Sequence, residues 1–259
     1  MENSLSQDRY RTVDILGVRF PRMTQYQLLD RLLQRVGSGP GGGICFPDMS
    51  TMNLVVRDAE FRALLNDRME VYNDGAGLAW AARRQGLPFP DNLNGTDLVP
   101  LLLKNVPEGT RVYVIGARDD ILQAAVTAMA RVFPKLDFVG CHHGYLQDEE
   151  EQYLIREIQG LRPDIVLVAM GNPRQIHFIA RARERFGFDH TVFLAVGGLL
   201  HYFAGDLRRA PVWLRKMRLE WLFITIQQPH KWKRYFVGIP RFLLNVLLWE
   251  RNHGKPVSD

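Results

Sequence analysis

The segment Ile165–Met170 reads IVLVAM and has no polar residue at any position. A strand alternates its side chains between two faces, so this one must be covered on both. Parallel strands held between two layers of helices meet that condition. Thr191–Val196 (TVFLAV) repeats the pattern, and Arg111–Ala117 (RVYVIGA) is close to it. Helical spacing separates these runs. Asp119 is placed to cap a helix through Val132, Leu136–Val139 reads as a strand, and Glu149–Ile158 as a helix. Pro173 can open the next helix at its first turn. The βα rhythm predicts a Rossmann-like α/β fold, a mostly parallel sheet with helices on both faces.

The flanking regions are less regular. Thr12–Phe20 reads as a hairpin turning near Gly17, and Tyr26–Val36 has the leucine spacing of a helix. Gly37–Gly43 (GSGPGGG) reads as a flexible connector. A short strand at Ile44–Phe46, one helix over Met52–Leu65, a strand over Met69–Tyr72 and a helix over Leu78–Arg84 follow. From Ala210 the strands stop. Trp213, Trp221, Trp232, Tyr235 and Trp249 alternate with basic residues, and Pro211, Pro229 and Pro240 divide the region into short helices. The chain of 259 residues is therefore read as an α/β core, 1–209, and a basic amphipathic helical appendage, 210–259.

Charge sharpens that division. The net charge is +5, yet Asp206–Arg251 alone holds ten basic residues against three acidic ones: Arg208, Arg209, Arg215, Lys216, Arg218, Lys231, Lys233, Arg234, Arg241 and Arg251 against Asp206, Glu220 and Glu250. Such a segment suits an anionic partner, and its mixture of tryptophan and basic residues suits an anionic membrane surface. A solvated basic face is the plain alternative. No RNP, KH or helix-turn-helix pattern supports nucleic-acid binding. Neither a signal-peptide core nor an apolar run long enough to span a bilayer is found, which predicts a cytoplasmic protein that touches the membrane from its inner face. Two cysteines, Cys45 and Cys141, give no disulfide framework and read as buried thiols. His142-His143 has a metal-like look but no evident third ligand in the sequence, so no metal site is expected.

The candidate chemistry sits at strand ends. Asn73-Asp74-Gly75 puts a carboxylate after a strand, where open α/β sheets bind ligands and where it can take a proton from a substrate hydroxyl. Capping of the following helix is the other reading. Phe46-Pro47-Asp48, Gly116, Gly171-Asn172-Pro173-Arg174-Gln175 and Gly197-Gly198 end other strands. Glycine there admits a phosphate close to backbone N–H groups, so the set suggests a nucleotide or sugar-nucleotide pocket. His177 and His201 read as packing or polar pocket residues. No GxGxxG fingerprint, Walker A or Asp-x-Asp motif occurs, which disfavours a dinucleotide enzyme and leaves a departing diphosphate to Arg, Lys and helix termini. No cofactor is expected.

These segments, together with Asn94-Gly95-Thr96-Asp97, Tyr113-Val114-Ile115-Gly116, Ala204-Gly205, Arg209-Ala210-Pro211, Leu219-Glu220-Trp221, Pro229 and Arg234-Tyr235, resemble the WecG/TagA/CpsF family of bacterial glycosyltransferases over about Val13–Tyr235. The subgroup it looks closest to is that of the xanthan-type exopolysaccharide glucosyltransferases. The resemblance implies an inverting, metal-independent transferase that moves a sugar, glucose in that subgroup, from a UDP-sugar to a polyprenyl-diphosphate-linked sugar, with a basic appendage that closes over the pocket and touches the membrane. It implies Asp74 as general base. Asp48, Asn73, Gly75, Asn94, Asp97, Gly116, Gly171, Pro173, Gln175, Gly197, Gly198 and His201 would bind substrate, with Arg209, Lys233 and Arg234 meeting the leaving UDP. Phe46, Asp48, Ile176, His201 and Ile224 depart from the family pattern. They motivate a second reading, a catalytically silent module that binds UDP or the lipid-linked sugar. The sequence does not fix an oligomeric state.

Overall fold

The apolar runs become strands of one parallel sheet. The structure, a computed structural model, describes residues 10–37, 39–211, 214, 220–229 and 232–254. Residues 1–9, Trp213, Arg215, Lys216, Arg218, Leu219 and Lys231, to which the sequence reading gave roles, lie outside these. The elements begin with β1 (Thr12–Ile15), β2 (Val18–Pro21), α1 (Gln25–Arg35), β3 (Gly42–Cys45), α2 (Met49–Val55) and α3 (Ala59–Arg68). Next come β4 (Glu70–Val71), α4 (Ala76–Arg84), α5 (Gly95–Asn105), β5 (Arg111–Gly116), α6 (Asp119–Val132), β6 (Asp137–His142) and α7 (Asp148–Leu161). The last are β7 (Ile165–Ala169), α8 (Arg174–Phe186), β8 (Val192–Ala195), α9 (Leu199–Phe203), α10 (Glu220–Gln227), α11 (Trp232–Phe236) and α12 (Gly238–His253). They divide into two compact units.

The sheet unit comprises Gln25–Cys45 and Gly95–Arg208. Its strands lie in the order β3-β8-β7-β5-β6, with every pair parallel. From β5 the chain moves outward to β6, then crosses back over β5 to β7. Right-handed crossovers running in opposite directions place α6 on one face and α7 and α8 on the other. Accordingly α7 packs on α8, and α6 on α9. The reversal between β5 and β7 makes the ends of these two strands the crevice of the sheet. The all-apolar run at β7 is buried throughout, as expected for a strand covered on both sides.

Several local expectations change here. The glycine-rich segment is packed. Gly42 and Gly43 already pair with Val192 and Phe193. A Cβ at Gly41 would lie 2.4 Å from the Phe188 carbonyl oxygen. Arg35 donates to the carbonyls of Pro40 and Gly41. Glycine is needed there for close approach. Asp119 begins α6 instead of capping it, since Arg118 holds the cap position. Pro173 stands one residue earlier than expected, at the cap of α8. The strand expected at Leu136–Val139 runs to His142 and carries an irregularity opposite Val112 and Tyr113. Helix α5, with Pro100 inside it, was not anticipated.

The second unit joins three chain segments, Met1–Thr24, Phe46–Asn94 and Arg209–Asp259. The β1/β2 hairpin forms as expected, with Thr12 opposite Pro21 and Ile15 opposite Val18. The single helix expected over Met52–Leu65 is two helices. Asp58 stops the first and caps the second by accepting from the Phe61 N–H. Pro240 falls just past a helix boundary, since α11 ends at Phe236 and α12 begins at Gly238. It sits in the first turn of α12, where its missing N–H would have no helical partner. Helix α12 packs on α2 and α4, burying Phe242 and Val246. Asn53 of α2 ties the same helix, donating to the Gly238 carbonyl at 2.8 Å and accepting from Asn245 at 2.9 Å. Helices α2 and α4 pass so closely that a Cβ on Gly77 would fall 2.1 Å from Met49 Sδ.

Candidate active site

In the three-segment unit the site is built around Asp48. It caps α2: Oδ1 accepts from the Thr51 N–H at 3.0 Å and from Thr51 Oγ1 at 2.8 Å. Its Oδ2 accepts from Arg234 Nη2 at 2.7 Å. Burial alone would raise the Asp48 carboxyl, but the Arg234 charge and the hydrogen bonds from Arg234 and Thr51 outweigh it and hold it below the usual range. Arg234 is pushed up, chiefly by the Asp48 charge, with a smaller contribution from Asp74. The Asp74 carboxylate is thus within electrostatic reach of the Arg234 guanidinium.

The loop that carries Asp74 is strapped from behind. Asn73 is buried and donates through Nδ2 to the Asp91 carbonyl at 3.0 Å, while the Leu93 N–H donates to the Asn73 carbonyl at 3.1 Å. The Gly75 N–H donates to Asn92 Oδ1 at 2.7 Å. Gly75 has φ 90° and ψ 173°, a conformation that side chains resist, and it is the cap residue of α4. Asp74 therefore does not hold the cap position of the helix that follows it. Asn73 Oδ1 is buried and accepts no hydrogen bond within the described residues. The strap at Asp91–Leu93 was missed in the sequence. Its signal was the polar turn run Pro90-Asp91-Asn92 between two helices, which had been given no role.

In the sheet unit, Gln175 is the organising side chain. It is buried at the start of α8, donates through Nε2 to Asn172 Oδ1 at 2.6 Å, and accepts through Oε1 from the Gly197 N–H at 3.1 Å. One side chain thereby joins the loops after β7 and β8, and brings Gly171, Pro173, Gly197 and Gly198 together. Gly116 lies alongside, paired with Ala169 at the end of β7. Its φ is 123°, and a Cβ there would meet the Ala169 carbonyl oxygen at 2.4 Å, so only glycine lets β5 end this way. The Gly144 N–H donates to the Ala117 carbonyl, and Arg174 donates to the Gly144 carbonyl at 3.0 Å, which draws the loop after β6 to the same sheet edge.

The other expected residues are more scattered. His201 faces Asp206, Nδ1 to Oδ2 2.7 Å. Asn94 follows the strap directly, and Asp97 lies in the first turn of α5. Arg209 opens the third segment of its unit. Lys233 lies over the Trp232 ring, 5.7 Å from its centroid. Phe46 and Ile176 are buried, which suits the apolar residues found there. Of the cysteines, Cys45 is buried as expected, and its thiol is pushed far up by burial. Cys141 is half-buried instead, and accepts from Gln123 at 3.8 Å. The His142-His143 pair gains a third group the sequence reading did not find: Glu150 Oε1 lies 3.7 Å from His142 Nε2 and 3.6 Å from His143 Nε2.

Among the described residues no helix is long and apolar enough to cross a membrane. Large apolar side chains are exposed on the last three helices, among them Ile226, Trp232, Phe236, Leu244, Leu247 and Leu248.

Comparison with known proteins adds identity to this geometry. The family model described as "Glycosyl transferase WecG/TagA/CpsF family" matches residues 13–256. An N-acetylglucosaminyldiphosphoundecaprenol N-acetyl-beta-D-mannosaminyltransferase of Staphylococcus aureus (strain MW2) is 29% identical over 258 residues, covering 94% of this chain and 95% of that protein. The protein of the same name from Bacillus subtilis (strain 168) is 29% identical over 209 residues, covering 79% of this chain and 80% of its own.

Proposed function

The chain belongs to the WecG/TagA/CpsF family of glycosyltransferases, and on that premise we propose that it transfers a sugar, with inversion and without a metal ion, from a UDP-sugar to a sugar carried on a polyprenyl diphosphate. Asp74 takes the proton of the acceptor hydroxyl. The hydroxyl oxygen attacks the anomeric carbon as the bond from that carbon to the diphosphate oxygen breaks, and UDP leaves with the bonding pair. Arg234, with Arg209 and Lys233, meets the charge that develops on the diphosphate. The nucleotide rests against the glycine loops that Gln175 gathers at the sheet edge, where backbone N–H groups can approach phosphate. Asn94, Asp97 and His201 contact the sugars.

The observation that carries the base assignment is the strapped loop. Asp74 has a fixed backbone, does not occupy the helix cap, and shares the field of Arg234. A positioned base contributes on the order of 10²–10⁴-fold. The exposed apolar side chains of α10–α12, set among basic residues, support a role for residues 210–259 at an anionic membrane surface on the cytoplasmic side, where a lipid-linked acceptor would be met.

Glucose is the donor sugar given by the subgroup resemblance, within exopolysaccharide or surface-polysaccharide synthesis. The names of the relatives favour a second donor, UDP-N-acetylmannosamine, with a GlcNAc-bearing acceptor. A panel of UDP-sugars offered with polyprenyl-diphosphate-linked glucose and GlcNAc, in EDTA, tests both. Transfer from UDP-glucose supports the first donor, and transfer only from UDP-N-acetylmannosamine replaces it with the second. Asp74→Asn should fold normally and lose about 10²–10⁴-fold in transfer. Full activity in that variant would remove Asp74 from the mechanism. UDP binding without transfer from any donor would favour the silent binding module.

A further inference from the structure

We infer that His142, His143 and Glu150 form a binding site for a divalent transition-metal cation of the zinc class, separate from the glycosyl-transfer chemistry. The three ligand atoms lie within 4.8 Å of one another. Around a tetrahedral ion with bonds of about 2.0–2.1 Å, neighbouring ligand atoms stand roughly 3.3–3.4 Å apart. The two distances to Glu150 Oε1, 3.7 and 3.6 Å, are a few tenths of an ångström from that geometry.

The hydrogen bonds around the cluster orient it for a cation. His142 Nδ1 lies 2.9 Å from the His143 carbonyl. A carbonyl only accepts, so Nδ1 carries a proton, which leaves Nε2, the atom that faces Glu150, as the nitrogen that can coordinate. An Nδ1–H held by a backbone carbonyl is also the usual outer support of a metal-bound histidine. Glu150 accepts the Gln147 N–H on Oε2, which leaves Oε1 toward the two rings. His143 Nδ1 is buried without a hydrogen-bond partner among the described residues.

The ligands stand on firm elements. His142 ends β6, where it pairs with Ile115 of β5, and Glu150 lies in the first turn of α7. Asp148 and Glu149 in that turn add a negative field, while Glu151 is taken up by Arg181. Two imidazoles with one carboxylate select zinc, cobalt or nickel over magnesium or calcium, which prefer all-oxygen sites. All three side chains are partly exposed, which leaves room for water in the fourth position. Cys141 is engaged with Gln123 of α6 and is not part of the set. A bound ion would clip the end of β6 to α7 across the loop of residues 144–147, beside the glycine at the end of β5.

The test is calorimetric titration of chelator-treated full chain with zinc sulfate, with melting temperature as a second readout. One ion per chain is expected, with a rise in melting temperature on binding. His142→Ala/His143→Ala should abolish both, and Glu150→Gln should weaken binding at least about tenfold, in the range that lost ligand support costs. Glu150→Gln is informative because glutamine also serves at this capping-box position, so the helix start is kept. Cobalt absorption without a thiolate charge-transfer band supports the set, and a thiolate band would overturn it in favour of Cys141. Absence of stoichiometric binding, or unchanged binding in the two variants, overturns the site.

Discussion

Asp48 makes two separable contributions, and substitution can tell them apart. Its Oδ1 caps α2 through Thr51, while its Oδ2 takes the Arg234 guanidinium at 2.7 Å. A side-chain cap is worth about 1 kcal/mol. The Arg234 side chain is 41% exposed and that of Asp48 26%, so solvent screens the pair and it is worth only about 0.5–1 kcal/mol. Asp48→Ala loses both and should cost roughly 1.5–2 kcal/mol. Asp48→Asn keeps a cap of equal quality and should cost about 0.5–1 kcal/mol, as should Arg234→Gln. The double variant Asp48→Asn/Arg234→Gln should be no worse than either single change, a coupling of about 0.5–1 kcal/mol. Urea midpoints followed by far-UV circular dichroism supply all four values. Additive single costs would mean that the ion pair is not formed in solution. Equal costs for Asp48→Asn and Asp48→Ala would mean that the cap contributes nothing. Transfer should separate the variants further. Arg234→Gln removes a charge from the leaving diphosphate and should lose about 10²-fold, the scale of a lost donor to a developing anion, whereas Asp48→Asn leaves that charge in place and should lose far less.

The same carboxylate sets an acid limit. Its folded-state pKa is depressed, so its stabilisation is complete above the unfolded value near 3.9 and is lost as pH falls through the folded value. Melting temperature measured from neutral pH down into that range should fall less steeply in Asp48→Asn than in the wild type. Phe242→Ala should destabilise the three-segment unit by about 3–5 kcal/mol, because Phe242 is fully buried between α12 and its neighbours, and chemical denaturation would reveal a smaller loss if α12 were only loosely attached. Ile226→Ser/Leu244→Ser changes side chains that are more than half exposed and should leave folding stability little changed while weakening sedimentation with anionic vesicles. Undiminished vesicle binding would remove these helices from the membrane contact.

Strand runs were legible because burial on both faces erases polar positions, as at Ile165–Ala169 and Val192–Ala195. The hairpin at Thr12–Pro21 and the helix from Gln25 were legible because their patterns are local. What failed depended on neighbours distant in sequence. The segment Gly37–Gly43 has the composition of a linker, and only the backbone at Phe188 and Thr191 shows that Gly41 answers a lack of space. Asp58 interrupts a helix whose apolar spacing continues through it. At the site, Asp74 could be found from its strand end, and Gln175 from its place after Pro173. The polar run Pro90-Asp91-Asn92 marked a turn but not its attachment to Asn73, and the Asp48–Arg234 pair could not be found, because neither side of each contact carries a mark of the other. Glu150 lies only eight residues after His142, yet its approach depends on how the intervening loop turns back.

Arg234 follows Asp48 by 186 positions, and the helix that seals their unit comes later still. At synthesis rates of about 5–20 residues per second, Asp48 leaves the ribosome roughly 9–37 s before its partner exists. The sheet unit ends at Arg208 and can collapse during that interval, while the unit bearing Asp74 waits as an incomplete surface. Nascent chains would therefore carry the gathered glycine loops of the proposed nucleotide site before the loop that bears Asp74 is complete. On the function proposed above, competence for transfer would arrive last, with the same helices that would meet the bilayer. On that proposal, birth order itself would keep unfinished chains from acting on a lipid-linked acceptor.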